Sequence, residues 1–433
     1  MLIHGHFTIN HQNHLEIGGC DTVALAKKYG TPLYVMDEER IRQNMRAYQD
    51  AIRADYDGHG QALYASKAFS CIAMLKIAAQ EGMGLDVVSG GELFTAKKAH
   101  FPMDQVYFHG NNKSPEELCM AVEYGVGKIV VDNERELLLL NDIAKENGVT
   151  QDILFRIKPG VDAHTHKFIR TGQIDSKFGV ALENGEAFAI VKQAASLEHI
   201  RVVGVHCHIG SQIFELEPFV VAARVMAEFM AKVNRELGIV LTELNLGGGF
   251  GIQYVKGDQP VRYPEYIKAV SETLREQCKA LDIPLPRVLM EPGRSIVGDA
   301  GVTLYTIGTV KDIKNVRKYV SVDGGMTDNP RYILYQAEYD AAVANRADAA
   351  ETETVTICGK CCESGDIVMQ DAKLPKLSPG DILAVMSTGA YNYSMASNYN
   401  RLPRPAVVFV KDGKDRLAVR RETYEDLVSH DVE

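Results

Sequence analysis

Short apolar runs alternate with longer amphipathic stretches from about residue 61 to residue 295. Eight such runs occur, and each except the last is followed by a stretch able to form a helix. This alternation is typical of repeated βα units around a parallel sheet. The runs cover residues 62–66, 85–88, 106–109, 129–132, 153–157, 202–208, 243–246 and 288–291. Eight units predict a (β/α)8 barrel of the TIM type.

The pattern becomes β-rich after residue 295, with apolar runs separated by Gly, Pro and Asp turns. These runs cover residues 302–310, 319–322, 354–358, 382–386 and 406–410. A candidate strand at 7–10 could add to this β region or pack on the barrel. We therefore expect one α/β domain and one all-β domain. The barrel would span 32–295, and residues 1–31 plus 296–433 would form a β-sandwich or β-barrel domain.

Composition narrows the possible partners and the compartment. A chain of 433 residues, 46% of them hydrophobic, is long enough for two domains. The net charge of -10 argues against general binding to nucleic acid or to an anionic membrane. Neither a transmembrane-length apolar run nor a signal-peptide pattern is present, so we expect the cytoplasm. The eight scattered cysteines predict reduced thiols.

The carboxyl ends of barrel strands carry the chemistry of this fold, and here they are polar. The first run ends in YASK, which places Lys67 at the mouth of an apolar strand. Partial desolvation there could lower the pKa of the amine and make it a nucleophile, so Lys67 is our Schiff-base candidate. A solvated lysine at the rim is the alternative for any single lysine.

The seventh and eighth runs end in motifs suited to phosphate and to a pyridine ring. GGGFG at 247–251 lets backbone N–H groups approach a phosphate, although it could also be a glycine turn without a ligand. EPGR follows at 291–294. Glu291 could keep a pyridine nitrogen protonated and Arg294 could bind a carboxylate or phosphate, or the two could form an internal ion pair.

Two further motifs leave alternatives open. In HCHIGS at 206–211, one histidine could stack on a flat cofactor while Ser211 reaches its phosphate. A two-histidine metal site is the rival, but the nearby carboxylates lack a recognised ligand spacing, so we expect no metal. CGKCCE at 358–363 lacks the second half of a zinc site. We favour a reactive thiol at Cys362 beside Glu363 over buried, inert cysteines.

Together these motifs resemble those of the diaminopimelate decarboxylases, in order and over nearly the whole chain. The matching segments are YASK at 64–67, HCHIGSQ at 206–212, NLGGGFG at 245–251, EPGRSIVG at 291–298, GGMTDNPR at 324–331, CESGD at 362–366 and GAY at 389–391. That family is grouped with ornithine and arginine decarboxylases and alanine racemase among pyridoxal-phosphate enzymes that combine a (β/α)8 barrel with a β domain. The resemblance implies the same two-domain fold.

The resemblance also implies roles for individual residues. Lys67, His208, Glu291 and Cys362 would be catalytic. The implied binding residues for pyridoxal 5'-phosphate are Lys67, Asp86, Arg156, His208, Ser211, Gly248, Gly249, Glu291, Gly293, Arg294 and Tyr391. The implied substrate-binding residues are Arg294, Arg331, Tyr335, Glu363 and Tyr391. Cys362 and Glu363 would come from the second protomer of a homodimer with shared active sites.

The implied reaction is decarboxylation of meso-2,6-diaminopimelate to L-lysine and CO2. Glu291 favours decarboxylation because a racemase would typically present a weaker partner such as arginine to the pyridine nitrogen. Arg331 favours a substrate with a distal carboxylate over ornithine. Cys362 is the candidate proton donor to the product. Cys361 stands where many relatives carry histidine, which leaves open which thiol is reactive.

Other interpretations remain open at this point. The chain could decarboxylate another diamino acid or a carrier-bound amino acid, or it could be a non-catalytic regulatory homologue. A phosphate-binding barrel without pyridoxal is a third possibility. The loop at 160–179, rich in His, Lys and Thr, follows the fifth run and could form a lid.

Overall fold

The computed structural model describes residues 4–161 and 175–432. The predicted lid therefore lies largely outside the described residues. Contacts divide the chain into two compact units. The barrel unit comprises Asn44–Gly251 and Pro260–Gly293, and the β unit takes in the chain up to Gln43, Ile252–Gln259 and the chain from Arg294 onward. The domain limits drawn from the sequence stay a prediction.

The β unit begins with a small antiparallel sheet. Its strands are β1 (Thr8–Ile9), β2 (Leu15–Ile17) and β3 (Cys20–Asp21), followed by helix α1 (Thr22–Tyr29) and strand β4 (Leu33–Asp37). Asp21 caps the N-terminus of α1, because its side chain accepts the N–H groups of Val23 and Ala24. Helix α2 (Glu38–Asp55) comes next along the chain.

The barrel unit contains eight parallel strands that close on themselves. They are β5 (Gly60–Ala65), β6 (Gly84–Val87), β7 (Val106–Phe108), β8 (Lys128–Val131), β9 (Gln151–Lys158), β11 (Ile200–His206), β12 (Glu243–Asn245) and β13 (Arg287–Met290), with a two-residue β10 (Val180–Ala181) beside β9. Pairing of β13 with β5 and of β8 with β9 completes the ring. The predicted (β/α)8 barrel is confirmed.

Helices cover the outside of this ring. They are α3 (Ile72–Gln80), α4 (Gly90–Lys98), α5 (Pro115–Tyr124), α6 (Glu134–Glu146), α7 (Glu186–Ala194), α8 (Glu217–Leu237) and α9 (Tyr263–Leu281). Inside the ring, one buried apolar layer is formed by Leu63, Tyr107, Val130, Leu154 and Leu289. Because side chains fill the interior, chemistry is left to the strand ends.

The rest of the β unit is built around one long strand. Its elements are α10 (Arg294–Val297), β14 (Gly301–Ile313), β15 (Arg317–Val322), α11 (Arg331–Tyr335), β16 (Ala341–Val343), β17 (Glu353–Cys358), β18 (Ile367–Leu374), β19 (Ile382–Val385), β20 (Ala406–Lys411), β21 (Lys414–Val419) and α12 (Tyr424–Val428). β14 pairs with β4, β19 and β15 along its length, so it belongs to two parts of the sheet. The predicted all-β second domain is confirmed.

Within the described residues, no helix combines the length and the apolar character needed to cross a membrane.

Candidate active site

Lys67 lies in a single helical turn, Ser66–Ala68, directly after β5, and its side chain is exposed at the barrel mouth. The end of β5 is tied to the turn that follows β13, because the Ala65 N–H donates to the Pro292 carbonyl at 3.2 Å. A Cβ atom on Gly293 would lie 3.0 Å from the Ala65 Cβ. Glycine at 293 thus allows the two strand ends to pack closely.

Glu291 follows β13 and is buried, with donors on both carboxylate oxygens. Asn245 Nδ2 donates to Oε1 at 2.7 Å, and His206 Nε2 lies 3.3 Å from Oε2. Burial alone would raise the pKa of Glu291, but the imidazoles of His109 and His206 outweigh it and bring the pKa well below the usual range. The carboxylate is therefore ionised at neutral pH.

His109 lies between Glu291 and a second buried carboxylate. Its Nε2 is 2.9 Å from Glu291 Oε1 and 3.8 Å from Asp86 Oδ1. The shorter contact is close but poorly aligned for an imidazole N–H bond, so it is electrostatic. Among the described residues, Asp86 Oδ1 has no hydrogen-bond partner. Burial raises the pKa of Asp86, partly offset by His109.

His208 is held by the glycine turn. The Gly248 N–H donates to His208 Nδ1 at 3.2 Å. Burial, assisted by the charge of Lys67, brings the pKa of His208 well below its ordinary value. The ring is therefore neutral at pH 7, and the proton lies on Nε2 because Nδ1 is an acceptor.

The glycine turn brings backbone into close contact on several sides. Gly247 and Gly249 have φ values of +69° and +109°, which side chains rarely adopt. A Cβ atom on Gly248 would lie 2.1 Å from the Glu291 carbonyl oxygen, and one on Gly249 would lie 2.3 Å from that of Gly210. Only glycine fits these positions. Ser211, half-buried, follows Gly210 directly.

Arg156 adds positive charge to the same end of the barrel. It lies in β9 with its guanidinium 4.3 Å above the Phe178 ring. Burial lowers its pKa, while attraction to Asp132, Glu291 and Asp86 acts in the opposite direction. The sequence-predicted residues Lys67, Asp86, Arg156, His208 and Glu291 therefore form one electrostatically linked group.

The β unit, considered by itself, contains a buried pair of arginines among tyrosines. Arg331 donates to Tyr339 Oη at 2.8 Å, and Arg294 Nη1 donates to Tyr254 Oη at 2.5 Å. The Arg294 guanidinium also lies 4.8 Å from the Tyr391 ring centre. Burial would raise the pKa of Tyr254, but the two guanidiniums lower it below its ordinary value. Such a cluster is suited to an anionic group.

The remaining predicted residues of the β unit differ in accessibility. Tyr335 ends α11 and is half-buried, whereas Glu363 is exposed. Cys362 is exposed, and its N–H donates to Asn400 Oδ1 at 2.7 Å. Cys361 is buried, and burial together with the Asp366 charge raises its pKa to about 11. Of the two thiols, Cys362 has the access that a reactive group needs.

Sequence reasoning missed several residues of these clusters. His109 ended a predicted run and Asn245 opened a matching motif, so both could have been found as polar residues at strand ends. Tyr254 and Tyr339 carry no such local signal.

The ligand atoms of His109, His206 and Glu291 lie within 4.8 Å of one another, a spacing that could also suit a metal ion. The predicted absence of a metal stays a prediction.

Comparisons with known proteins find similarity over the whole length of the chain. Residues 38–298 match the family model described as pyridoxal-dependent decarboxylase, pyridoxal binding domain. A diaminopimelate decarboxylase of Bacillus subtilis is 53% identical over 433 residues, covering 100% of this chain and 98% of the relative. The crystal structure of the M. jannaschii diaminopimelate decarboxylase in co-complex with L-lysine is 38% identical with a TM-score of 0.93, covering 100% and 99% of the two chains. A lysine/ornithine decarboxylase from Vibrio vulnificus, complexed with putrescine, shares the fold at 23% identity and a TM-score of 0.76, over 90% of this chain and 97% of that one.

Proposed function

This chain belongs to the diaminopimelate decarboxylase family of pyridoxal-dependent decarboxylases, and we propose that it converts meso-2,6-diaminopimelate to L-lysine and CO2 with Lys67 as the residue that holds pyridoxal phosphate covalently. Full-length identity of 53% to a diaminopimelate decarboxylase supports the activity. The observation that carries the site assignment is Glu291, a buried, ionised carboxylate at a strand end of the same barrel mouth as Lys67.

The residues of the barrel mouth fit pyridoxal phosphate. Glycine at 247–249 allows close backbone packing, because a Cβ at any of these positions would meet neighbouring protein atoms. The Gly247 and Gly248 N–H groups donate to Asn245 and His208, so the N–H of Gly249 would be the donor of this turn to the phosphate. Ser211 adds a hydroxyl next to the turn. Asp86 Oδ1 is a buried acceptor that has no hydrogen-bond partner among the described residues, as expected for an atom that awaits a ligand.

When bound, pyridoxal phosphate supplies an electron sink for the bond that breaks. Lys67 provides the amine that attaches it, and Glu291 holds the proton on its ring nitrogen. His208, neutral and oriented by Gly248, offers an uncharged flat surface for the ring. Arg156 offsets the negative charge of the buried carboxylates.

Residues of the β unit would recognise the distal amino-acid group. Arg331 and Arg294 would bind its carboxylate, with Tyr335 and Tyr391 beside it, and Glu363 would attract its ammonium. Cys362 would return a proton to the product. We further propose a cytoplasmic homodimer in which Cys362 and Glu363 complete the site of the partner subunit.

The proposal is tested by incubating the purified protein with pyridoxal phosphate and meso-diaminopimelate and measuring CO2 and L-lysine. L-Ornithine, L-arginine and L-lysine are run in parallel, with Lys67→Ala as the inactive control. Equal amounts of lysine and CO2, formed from meso-diaminopimelate by the wild type alone, are expected. CO2 release from L-ornithine and none from meso-diaminopimelate would replace the substrate assignment.

A further inference from the structure

The Glu291 carboxylate is surrounded by side chains from four other barrel strands. Asn245 ends β12 and His206 ends β11, whereas His109 follows β7 and Asp86 lies in β6. All five residues are buried. Four polar side chains around one carboxylate are more than its two oxygens need as hydrogen-bond partners.

The number of nitrogen contacts distinguishes the two oxygens of Glu291. Oε1 is contacted by Asn245 at 2.7 Å and by His109 at 2.9 Å. Among the described residues, Oε2 has one such contact, with His206 at 3.3 Å. A carboxylate oxygen can accept about two hydrogen bonds. Oε2 is therefore the less crowded oxygen and can accept one more hydrogen bond, from a donor outside this cluster.

The protonation state of His206 follows from its surroundings. Burial lowers its pKa to about 4, against the attraction of Glu291. The neutral ring carries one proton, and Nδ1 has no hydrogen-bond partner among the described residues. Because Glu291 is ionised and can only accept, the proton lies on Nε2 and is donated to Oε2.

His109 has a different place, between two acids. Its Nε2 faces both Glu291 Oε1 and Asp86 Oδ1, and its ring meets that of His206 edge to face, with centres 4.8 Å apart. One imidazole thereby reduces the repulsion between two buried carboxylates, which would otherwise raise the pKa of each. Its edge contact with His206 also restricts how far either ring can turn.

We propose that His109 and His206 are positioning residues, which hold the Glu291 carboxylate ionised and oriented so that the ring nitrogen of the cofactor keeps its proton. The inference rests on the proposed function for the identity of the cofactor. Donors on the carboxylate lower its basicity, so the shared proton stays on the nitrogen. In an apolar site without these donors, the proton would move to the carboxylate and leave a neutral pair.

Other titratable and charged groups also act on this carboxylate, and the test has to hold them constant. They are Asp86, Arg156, Cys207 and His208, in addition to the two histidines. None of these is altered in the variants below. A change in the protonation of the ring nitrogen would then report the loss of the histidine side chain.

The test uses holoenzyme loaded with pyridoxal phosphate that carries 15N in the ring, followed by NMR between pH 6 and 9. We expect the protonated-nitrogen signal across this range in the wild type. In His206→Leu and in His109→Leu, the apparent pKa of the ring nitrogen should fall by roughly one unit or more. His206→Gln, which restores an uncharged N–H donor, should return the signal toward that of the wild type.

His199→Leu is the matched control, because His199 directly precedes β11, the strand that ends at His206. Among the described residues, its ring has one hydrogen-bond partner, the Val149 carbonyl. Unchanged ring-nitrogen signals in both leucine variants would overturn the inference, as would a stoichiometric metal retained by the wild type and lost in His206→Leu. If the leucine variants do not fold, the tautomer of His206 is determined instead, from 15N-histidine spectra of the wild-type apoprotein. The Nε2–H tautomer of His206 supports the inference, and the Nδ1–H tautomer overturns it.

The inference and the proposed function can fail separately. A wild type that forms L-lysine but shows no shift of the ring nitrogen in the variants rejects only the role of the histidines. A wild type that binds the cofactor and shows the shifts, but forms no L-lysine, rejects only the substrate assignment.

Discussion

The Asn245 amide joins Glu291 to the glycine turn. Its Nδ2 donates to Glu291 Oε1 at 2.7 Å, while its Oδ1 accepts the N–H of Gly247 at 2.9 Å. The backbone donor fixes which end of the amide faces the carboxylate. The Asn245 side chain thus fixes the position of Glu291 relative to the glycine turn. Glu291 is proposed to face the pyridine nitrogen, and the turn is proposed to bind the phosphate.

Replacing Asn245 with Ala should weaken both parts of the cofactor site. A buried hydrogen bond to a charged group contributes about 1.5–3 kcal/mol, so the dissociation constant for pyridoxal phosphate should rise roughly 10- to 100-fold. Fluorescence titration of the apoprotein measures this change. Asn141→Ala, which removes a side chain that accepts the His199 N–H, serves as the control. Equal cofactor affinity in both variants would mean that Asn245 is not a link in the site.

Arg331 should control the affinity for the distal carboxylate of the substrate. Arg331→Gln removes a buried charge that is hydrogen-bonded to Tyr339, so KM for meso-diaminopimelate should rise roughly 10- to 100-fold, as expected for a charge-assisted hydrogen bond. Cofactor affinity should stay at the wild-type value. Arg317→Gln, at the start of β15, is the control for loss of an arginine from the β unit. A normal KM in a folded Arg331→Gln enzyme would exclude this residue from substrate recognition.

The neighbouring thiols of Cys361 and Cys362 should react at very different rates. Cys362 is exposed, whereas Cys361 is buried with its pKa raised to about 11. Since the thiolate is the reactive form, iodoacetamide at pH 8 should modify Cys362 first, as peptide mass spectrometry can determine. Cys362→Ser should remove the fast phase and most of the activity, and Cys361→Ser neither. Loss of activity only in Cys361→Ser would reverse the assignment.

Asp328 should make the stability of the β unit depend on pH. Burial raises its pKa from 3.8 to about 7, so the unfolded chain releases this proton at lower pH than the folded protein does. The protonated Asp328 carboxyl therefore adds to the free energy of unfolding. This contribution is complete below pH 3.8 and is lost as the pH rises through 7. Between pH 5 and pH 8 the free energy of unfolding of the wild type should fall by about 3 kcal/mol relative to that of Asp328→Asn. Urea unfolding of both proteins at the two pH values measures this difference, and parallel pH dependences would refute it.

The sequence predicts those features that depend on local pattern. The period of the apolar runs reveals all eight barrel strands, and position at a strand end singles out Lys67 and Glu291. The contact of Asn245 with Glu291 could not be predicted, because it depends on how β12 and β13 are paired. Nor could the difference between Cys361 and Cys362 be predicted, since burial of one of two adjacent thiols is decided by the packing around Asp366. Cross-strand register and burial are tertiary properties that one-dimensional spacing does not contain.

Borohydride reduction can show whether the cofactor is bound covalently to Lys67. The purified holoenzyme is reduced with sodium borohydride, digested and analysed by peptide mass spectrometry. A phosphopyridoxyl group on Lys67, absent from Lys67→Ala, is the predicted result. A modification at another lysine with Lys67 unmodified, or no modification in an enzyme that releases CO2, would exclude Lys67 as the residue that holds the cofactor.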